Sequence, residues 1–179
     1  METDAQTLPK SHIWRVVAVI FVMLGTGPYP FGRLLSAVDT WAKLSGQKVI
    51  AQNGHTQIPV EHIECRPFLA HEEVRALIAA ADMVIAQGGF GSLGDCLAAG
   101  KPTIAVPRLP RQGECKDEQS ELVAALAAEN LLIAVYDVAD LPSAIEVARA
   151  SSFSTTRHSE IPTIVAEAVD KMTLGRRPA

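Results

Sequence analysis

Gly89-Phe90-Gly91-Ser92-Leu93-Gly94 spells G-x-G-x-x-G, between an apolar run and a stretch with helical spacing. Glycines so spaced let a backbone approach a pyrophosphate, and a helix starting there offers free N–H groups and a partial positive charge. A second glycine-rich stretch, Leu24-Gly25-Thr26-Gly27-Pro28, adds a hydroxyl that can bond a phosphate oxygen. Pro30 occupies the place of a third fingerprint glycine there. Two such loops converging on one diphosphate is the chemistry these residues suggest. A nicotinamide dinucleotide uses the same backbone physics, so an NADP-binding enzyme is one alternative, with Arg108 placed to admit a 2′-phosphate. A glycine turn that only packs a helix on a strand is another.

The side chains around these loops each have a plainer reading beside the chemical one. Asp95 falls in the first turns of the predicted helix, where the dipole favours an acid with or without a ligand. Ser92 can cap that helix, and capping is compatible with phosphate contact. Glu114, Asp117 and Gln119 can form a solvated loop and helix start. Arg108 and Arg111 read as surface charges or, more sharply, as a clamp for a carboxylate. His55 and His71 read as ordinary loop and helix-start residues. There is no H-E-x-x-H, and no carboxylate arrangement demands a divalent ion, so no metal is expected.

Strand–helix alternation must position these groups. A buried strand is predicted to end at Leu24, and Phe31, Leu34, Leu35, Val38 and Ala42 then recur at helical spacing until Gly46. Strands are expected at 48–52, 60–65, 82–86, 103–106 and 131–135, with helices over 71–81, from the Gly88-Gly89 turn to near Gly100, and over 118–129 and 141–150. A last helix is expected over 161–172, carrying Ile161, Ile164, Val165, Ala168, Val169 and Met172 on one side and available for partner docking. Such alternation implies an α/β fold, a parallel sheet covered on both faces, with ligands at the carboxyl ends of the strands. Residues 1–15 read as a loose extension, 16–150 as the ligand-binding domain and 151–179 as a linker and C-terminal helix.

The 179 residues suffice for one domain with a real core, and 48% hydrophobic against 20% charged residues is a globular balance. A formal net charge of −4 argues against a broad nucleic-acid surface. Cys65, Cys96 and Cys115 are odd in number and widely spaced, as reduced cytoplasmic thiols would be. The apolar run Val16–Leu24 is far short of the roughly 20 residues of a membrane helix, and Glu2 and Asp4 stand where a signal peptide needs positive charge.

Ala86-Gln-Gly-Gly-Phe-Gly-Ser-Leu-Gly-Asp95, Ala98-Ala-Gly-Lys-Pro102 and Ile104-Ala-Val-Pro-Arg108 together resemble the C-terminal domain of glycosyltransferase family 28. The opening Phe21–Thr26, with Pro30-Phe31 and Arg33-Leu34-Leu35, points to its short stand-alone members, the PssE-like subunits of bacterial exopolysaccharide assembly. These are similar to the small subunit of the eukaryotic enzyme that adds the second sugar of the dolichol-linked glycan. The resemblance implies a Rossmann-like sheet equivalent to the C-terminal half of a GT-B enzyme. It also implies a UDP-sugar as donor substrate and no cofactor. A membrane-anchored PssD-like partner would supply the acceptor site for a polyprenyl-diphosphate-linked sugar. The location would then be cytoplasmic, peripheral at the inner face of the membrane. For this group the implied reaction is inverting transfer of glucuronic acid. A non-catalytic partner subunit is the alternative within the same resemblance.

Residue by residue, the resemblance places Phe68 and Leu69 on the uracil and Asp95, in place of the usual glutamate, on the ribose hydroxyls. Gly25, Thr26, Gly89, Gly91 and Ser92 match the diphosphate loops, and Glu114, Asp117 and Gln119 the segment facing the donor sugar. Gln87 and Gly88 stand where many relatives have histidine and alanine, and Cys115 and Glu118 replace histidines of the later loop. Arg108, Arg111 or Lys116 would assist the leaving UDP. The general base is expected from the partner.

Overall fold

Short runs of Val, Ile and Ala that are apolar on both faces make strands that need cover on two sides. Six strands, all of this kind but the short edge strand Glu64–Arg66, pair in the computed structural model, which describes residues 19–151. They are β1 (Val19–Met23), β2 (Lys48–Gln52), β3 (Glu64–Arg66), β4 (Met83–Gln87), β5 (Thr103–Val106) and β6 (Ile133–Ala134). Their order is β3-β2-β1-β4-β5-β6 and every pairing is parallel. This is the doubly wound, Rossmann-like arrangement, and it reverses direction between β1 and β4, where such sheets bind ligands.

Alternate strand residues serve opposite layers. Ile20, Val22, Val49, Ile85 and Ile104 pack under α1 (Gly32–Ser45) and α5 (Leu141–Ala150), against Leu34, Leu35, Val38 and Ile145. Phe21, Met23, Ile50, Val84 and Ala105 face α2 (His71–Ala80), α3 (Phe90–Ala98) and α4 (Ser120–Ala128), against Val74, Ile78, Leu93 and Val123. Both faces are covered, as the apolar runs required.

Three elements are shorter than expected, each for a local reason. The strand expected at 60–65 is confined to Glu64–Arg66. The Asp39 carboxylate takes the N–H groups of Glu61 and His62, at 3.1 and 2.8 Å, away from any ladder. Glu118 stays outside α4 because its carboxylate caps the Ser120 N–H at 2.9 Å. Leu131 closes the end of α4 by bonding the Leu126 carbonyl, which leaves β6 only two residues. Phe31 sits at the N-cap of α1, its N–H held 2.9 Å from Thr56 Oγ1. The expected N-terminal extension and the helix over 161–172 lie outside the described residues. Among the described residues, no helix is long and apolar enough to cross a membrane.

Candidate functional site

The adjacent strands β1 and β4 end side by side, which brings the two glycine loops together at the switch point. The last residue of β4, Gln87, fills the space between them. A methyl group at Gly25 would collide with the Gln87 amide, and one at Gly89 would stand 3.0 Å from Gln87 Nε2. Gly25 also has φ of +82°, a conformation that L side chains avoid. The backbone conformation thus favours glycine at position 25, and any side chain there would have to displace the Gln87 amide. Gln87 is half-buried, and its amide makes no hydrogen bond to the described residues.

The first loop is braced from behind. Gly54, at φ +53°, packs directly on the Gly25 carbonyl, where a methyl group would collide with backbone. His55 Nδ1 lies 3.1 Å from the Gly27 carbonyl, and its ring meets Phe68 edge-on with centroids 5.1 Å apart. Phe68 is 55% exposed. An aromatic ring left in water beside a polar crevice provides a surface on which a base can stack. Leu69 is half-buried against the α2–α3 layer.

The second loop opens straight into α3. Gly89 is the N-cap and no side chain caps the helix, so its first N–H groups face the crevice without intrahelical acceptors. A methyl group at Gly91 would meet nothing within 4 Å, so the backbone there is open to an incoming group. Ser92 is half-buried, Thr26 is exposed, and neither hydroxyl is engaged by any of the described residues. One turn on, Asp95 Oδ2 lies 3.8 Å from His71 Nδ1 at the start of α2. Carboxylate and imidazole thus flank one edge of the crevice.

The third strand-end loop is built differently from expectation. Arg108 is neither a surface charge nor a clamp open to a ligand, because it is 3% exposed. Its guanidinium donates to the carbonyls of Leu24, of Tyr29 at 2.6 Å and of Glu114 at 2.7 Å. Burial pulls its pKa down, while Cys115 and Glu114 push it back up. Glu114, expected in the segment facing the donor sugar, is likewise buried. Its buried carboxylate is held by Arg33 through Nε at 2.8 Å and a second nitrogen at 3.2 Å, and it accepts the Leu109 N–H at 2.9 Å. Gln119 Oε1 accepts the Arg108 N–H at 3.0 Å, while its Nε2 lies 3.8 Å from where a methyl group on Gly89 would stand. Asp117, Arg111 and Lys116 are exposed.

Gln87, Gly54 and Arg33 are site-building residues that the motif spacing did not nominate. A polar residue closing the apolar strand Met83–Ala86 was a readable signal for Gln87. The partners of Gly54 and Arg33 lie 29 and 81 positions away in sequence and had no local signature. Burial pushes the Cys96 thiol up to about 12, so it is an inert core group.

Comparison with known proteins agrees with this fold. Among solved structures, the glycosyltransferase of kitacinnamycin superimposes with a TM-score of 0.56 at 17% identity, covering 84% of this chain and 40% of that one. The calicheamicin glycosyltransferase CalG4 gives 0.59 at 17% identity, covering 76% of this chain and 36% of its own. UDP-GlcNAc 2-epimerase from Neisseria meningitidis, bound to UDP-GlcNAc, gives 0.52 at 12% identity over 87% of this chain and 44% of its own. These likenesses establish the fold, and the chain spans about two fifths of such proteins. A search of curated protein sequences finds no match. The model of the glycosyltransferase family 28 C-terminal domain matches residues 19–172, most of the chain, and the protein belongs to that family.

Proposed function

We propose that this chain is the donor-binding half of an inverting glycosyltransferase, holding a UDP-sugar between its two central glycine loops. The observation that carries the reading is the pairing of an uncapped helix α3 with a neighbouring glycine loop. Both lie at the switch point, beside the unengaged hydroxyls of Thr26 and Ser92. Helix N-terminal N–H groups would stabilise the charge that develops on the departing UDP. Phe68 and Leu69 would receive the uracil and Asp95 the ribose hydroxyls. A carboxylate accepts both members of a cis-diol without needing a proton of its own.

The acceptor side is supplied by a second, membrane-anchored subunit of PssD-like type, which brings a polyprenyl-diphosphate-linked sugar and the general base. The donor sugar in this reading is glucuronic acid. Since Arg108 is committed to backbone carbonyls, the sugar carboxylate would be met by Arg111 or Lys116 on the exposed part of the same loop. The engagement of Arg108 also takes away the guanidinium that would have received a 2′-phosphate, which weighs against NADP.

Thermal unfolding of the full chain tests the reading. UDP and UDP-glucuronate are expected to raise the midpoint, with the shift lost in Asp95→Ala, whereas NADPH should leave it unchanged. A shift with NADPH and none with any uridine nucleotide would overturn the reading. Full transferase activity of the assembled complex carrying Asp95→Ala would instead favour a non-catalytic subunit.

A further inference from the structure

Behind the first glycine loop lies a largely buried cluster whose charges, among the described residues, do not cancel, with Arg33 at its partly exposed edge. It contains two guanidinium groups, Arg33 and Arg108, whose central carbons stand 5.0 and 5.1 Å from the centroid of the fully buried Phe31 ring. Its one carboxylate, Glu114, is paired with Arg33 in a two-point contact. Arg108, 3% exposed, has only backbone carbonyls as hydrogen-bond acceptors among the described residues, with the Phe31 ring and the shared Glu114 charge beside it, and its Nε has no hydrogen-bond partner there. The other acids of that loop, Asp117 and Glu118, are exposed. One positive charge is therefore in excess.

Charges removed from water are normally paired, because desolvation is costly and carbonyl dipoles offset only part of it. A charge buried without a carboxylate is either a liability or is balanced by something that binds. Its location decides between these. One of the carbonyls that Arg108 holds belongs to Leu24, the residue directly before Gly25. Another belongs to Tyr29, on the far side of the same loop. The guanidinium thus spans the base of the Gly25–Gly27 loop, and its charge lies behind backbone that faces the crevice. In a low-dielectric setting such a charge acts over several ångströms without contact.

We infer that the missing counter-charge is the diphosphate of the bound nucleotide. Arg108 is then a positioning residue that ties down both ends of the Gly25–Gly27 loop and holds a positive charge behind the anion. This rests on the nucleotide-sugar reading above and adds a residue that acts on the diphosphate alone. Its influence should therefore fall on UDP and spare uridine, whose contacts lie at Phe68, Leu69 and Asp95. Glu114 should act in the opposite sense, because it is the carboxylate that offsets the cluster.

The experiment compares UDP with uridine on the full chain by titration. Arg108→Met should weaken UDP by about tenfold or more and leave uridine within about twofold, and Arg108→Lys should restore part of the loss. Equal weakening of both ligands, or an unchanged UDP affinity in a folded variant, would overturn the inference. If Arg108→Met does not fold, Glu114→Gln carries the test, since it must raise the ratio of UDP to uridine affinity. A fall or no change in that ratio would reject the counter-charge role. A wild-type preference for UDP over uridine that is the same in folded Arg108→Met sinks this inference alone, whereas a wild-type chain that gains nothing from the diphosphate also removes the two-loop site. One that binds neither ligand sinks the nucleotide reading with it.

Discussion

The two glycine loops sit on neighbouring strands yet are built in opposite ways. The Gly25–Gly27 loop is a wall, with Gly54 packed on its first carbonyl, His55 on its last and Arg108 across its base. The loop at Gly89–Ser92 is a doorway, an uncapped helix start with open space in front of Gly91. A wall fixes where an anion can stand. Open N–H groups supply the interaction that holds it. The same residue type is thus required for close packing in one loop and for access in the other.

Substitutions should separate the two. The largest effect is expected at Gly54→Ala, where a side chain meets the backbone of Gly25 at positive φ. Left-handed strain and overpacking together should cost roughly 3 kcal/mol in denaturant unfolding, with loss of UDP binding. Gly25→Ala should cost less, roughly 2 kcal/mol, because the group it strikes is the movable end of Gln87 rather than backbone. If Gly54→Ala and Gly25→Ala unfold like the wild type, the wall is not packed as described. In the doorway, Asp95→Ala should leave stability within about 0.5 kcal/mol while weakening UDP about tenfold, since among the described residues its side chain carries only the long contact to His71. Gly94→Ala, inside α3 with nothing near the added methyl group, should stabilise the fold by about 0.5–1 kcal/mol and leave UDP affinity unchanged. The smallest effect is a non-event. Cys96, on the core side of α3 and with its pKa pushed up to about 12, should resist thiol reagents at pH 8 in the folded protein and react once it is unfolded.

The same contrast explains what could be read in advance. Strand and helix order followed from apolar runs such as Val84–Ala86 and from the stripe Leu34, Leu35, Val38, because period and burial are local properties of a chain. The doorway was legible for the same reason, since a G-x-G-x-x-G turn carries its own conformational demands. The wall was not. Nothing local to Asn53-Gly54-His55 says that it would brace Gly25, because that contact joins segments separated by a whole helix and strand. Arg108 and Glu114 misled by their polarity. Each is charged and lies in a loop, yet both are buried, because Arg33, Phe31 and three carbonyls supply partners that no local pattern encodes. Long-range pairing is where sequence reasoning gave the wrong environment.

The most direct test of the central claim is a crystal structure of the full chain with UDP bound. The two-loop site predicts the diphosphate between Gly25–Thr26 and the Gly89–Ser92 turn, with the ribose at Asp95 and the uracil against Phe68. A nucleotide whose phosphates lie away from both glycine loops, or a crevice that stays empty at saturating UDP, would contradict it.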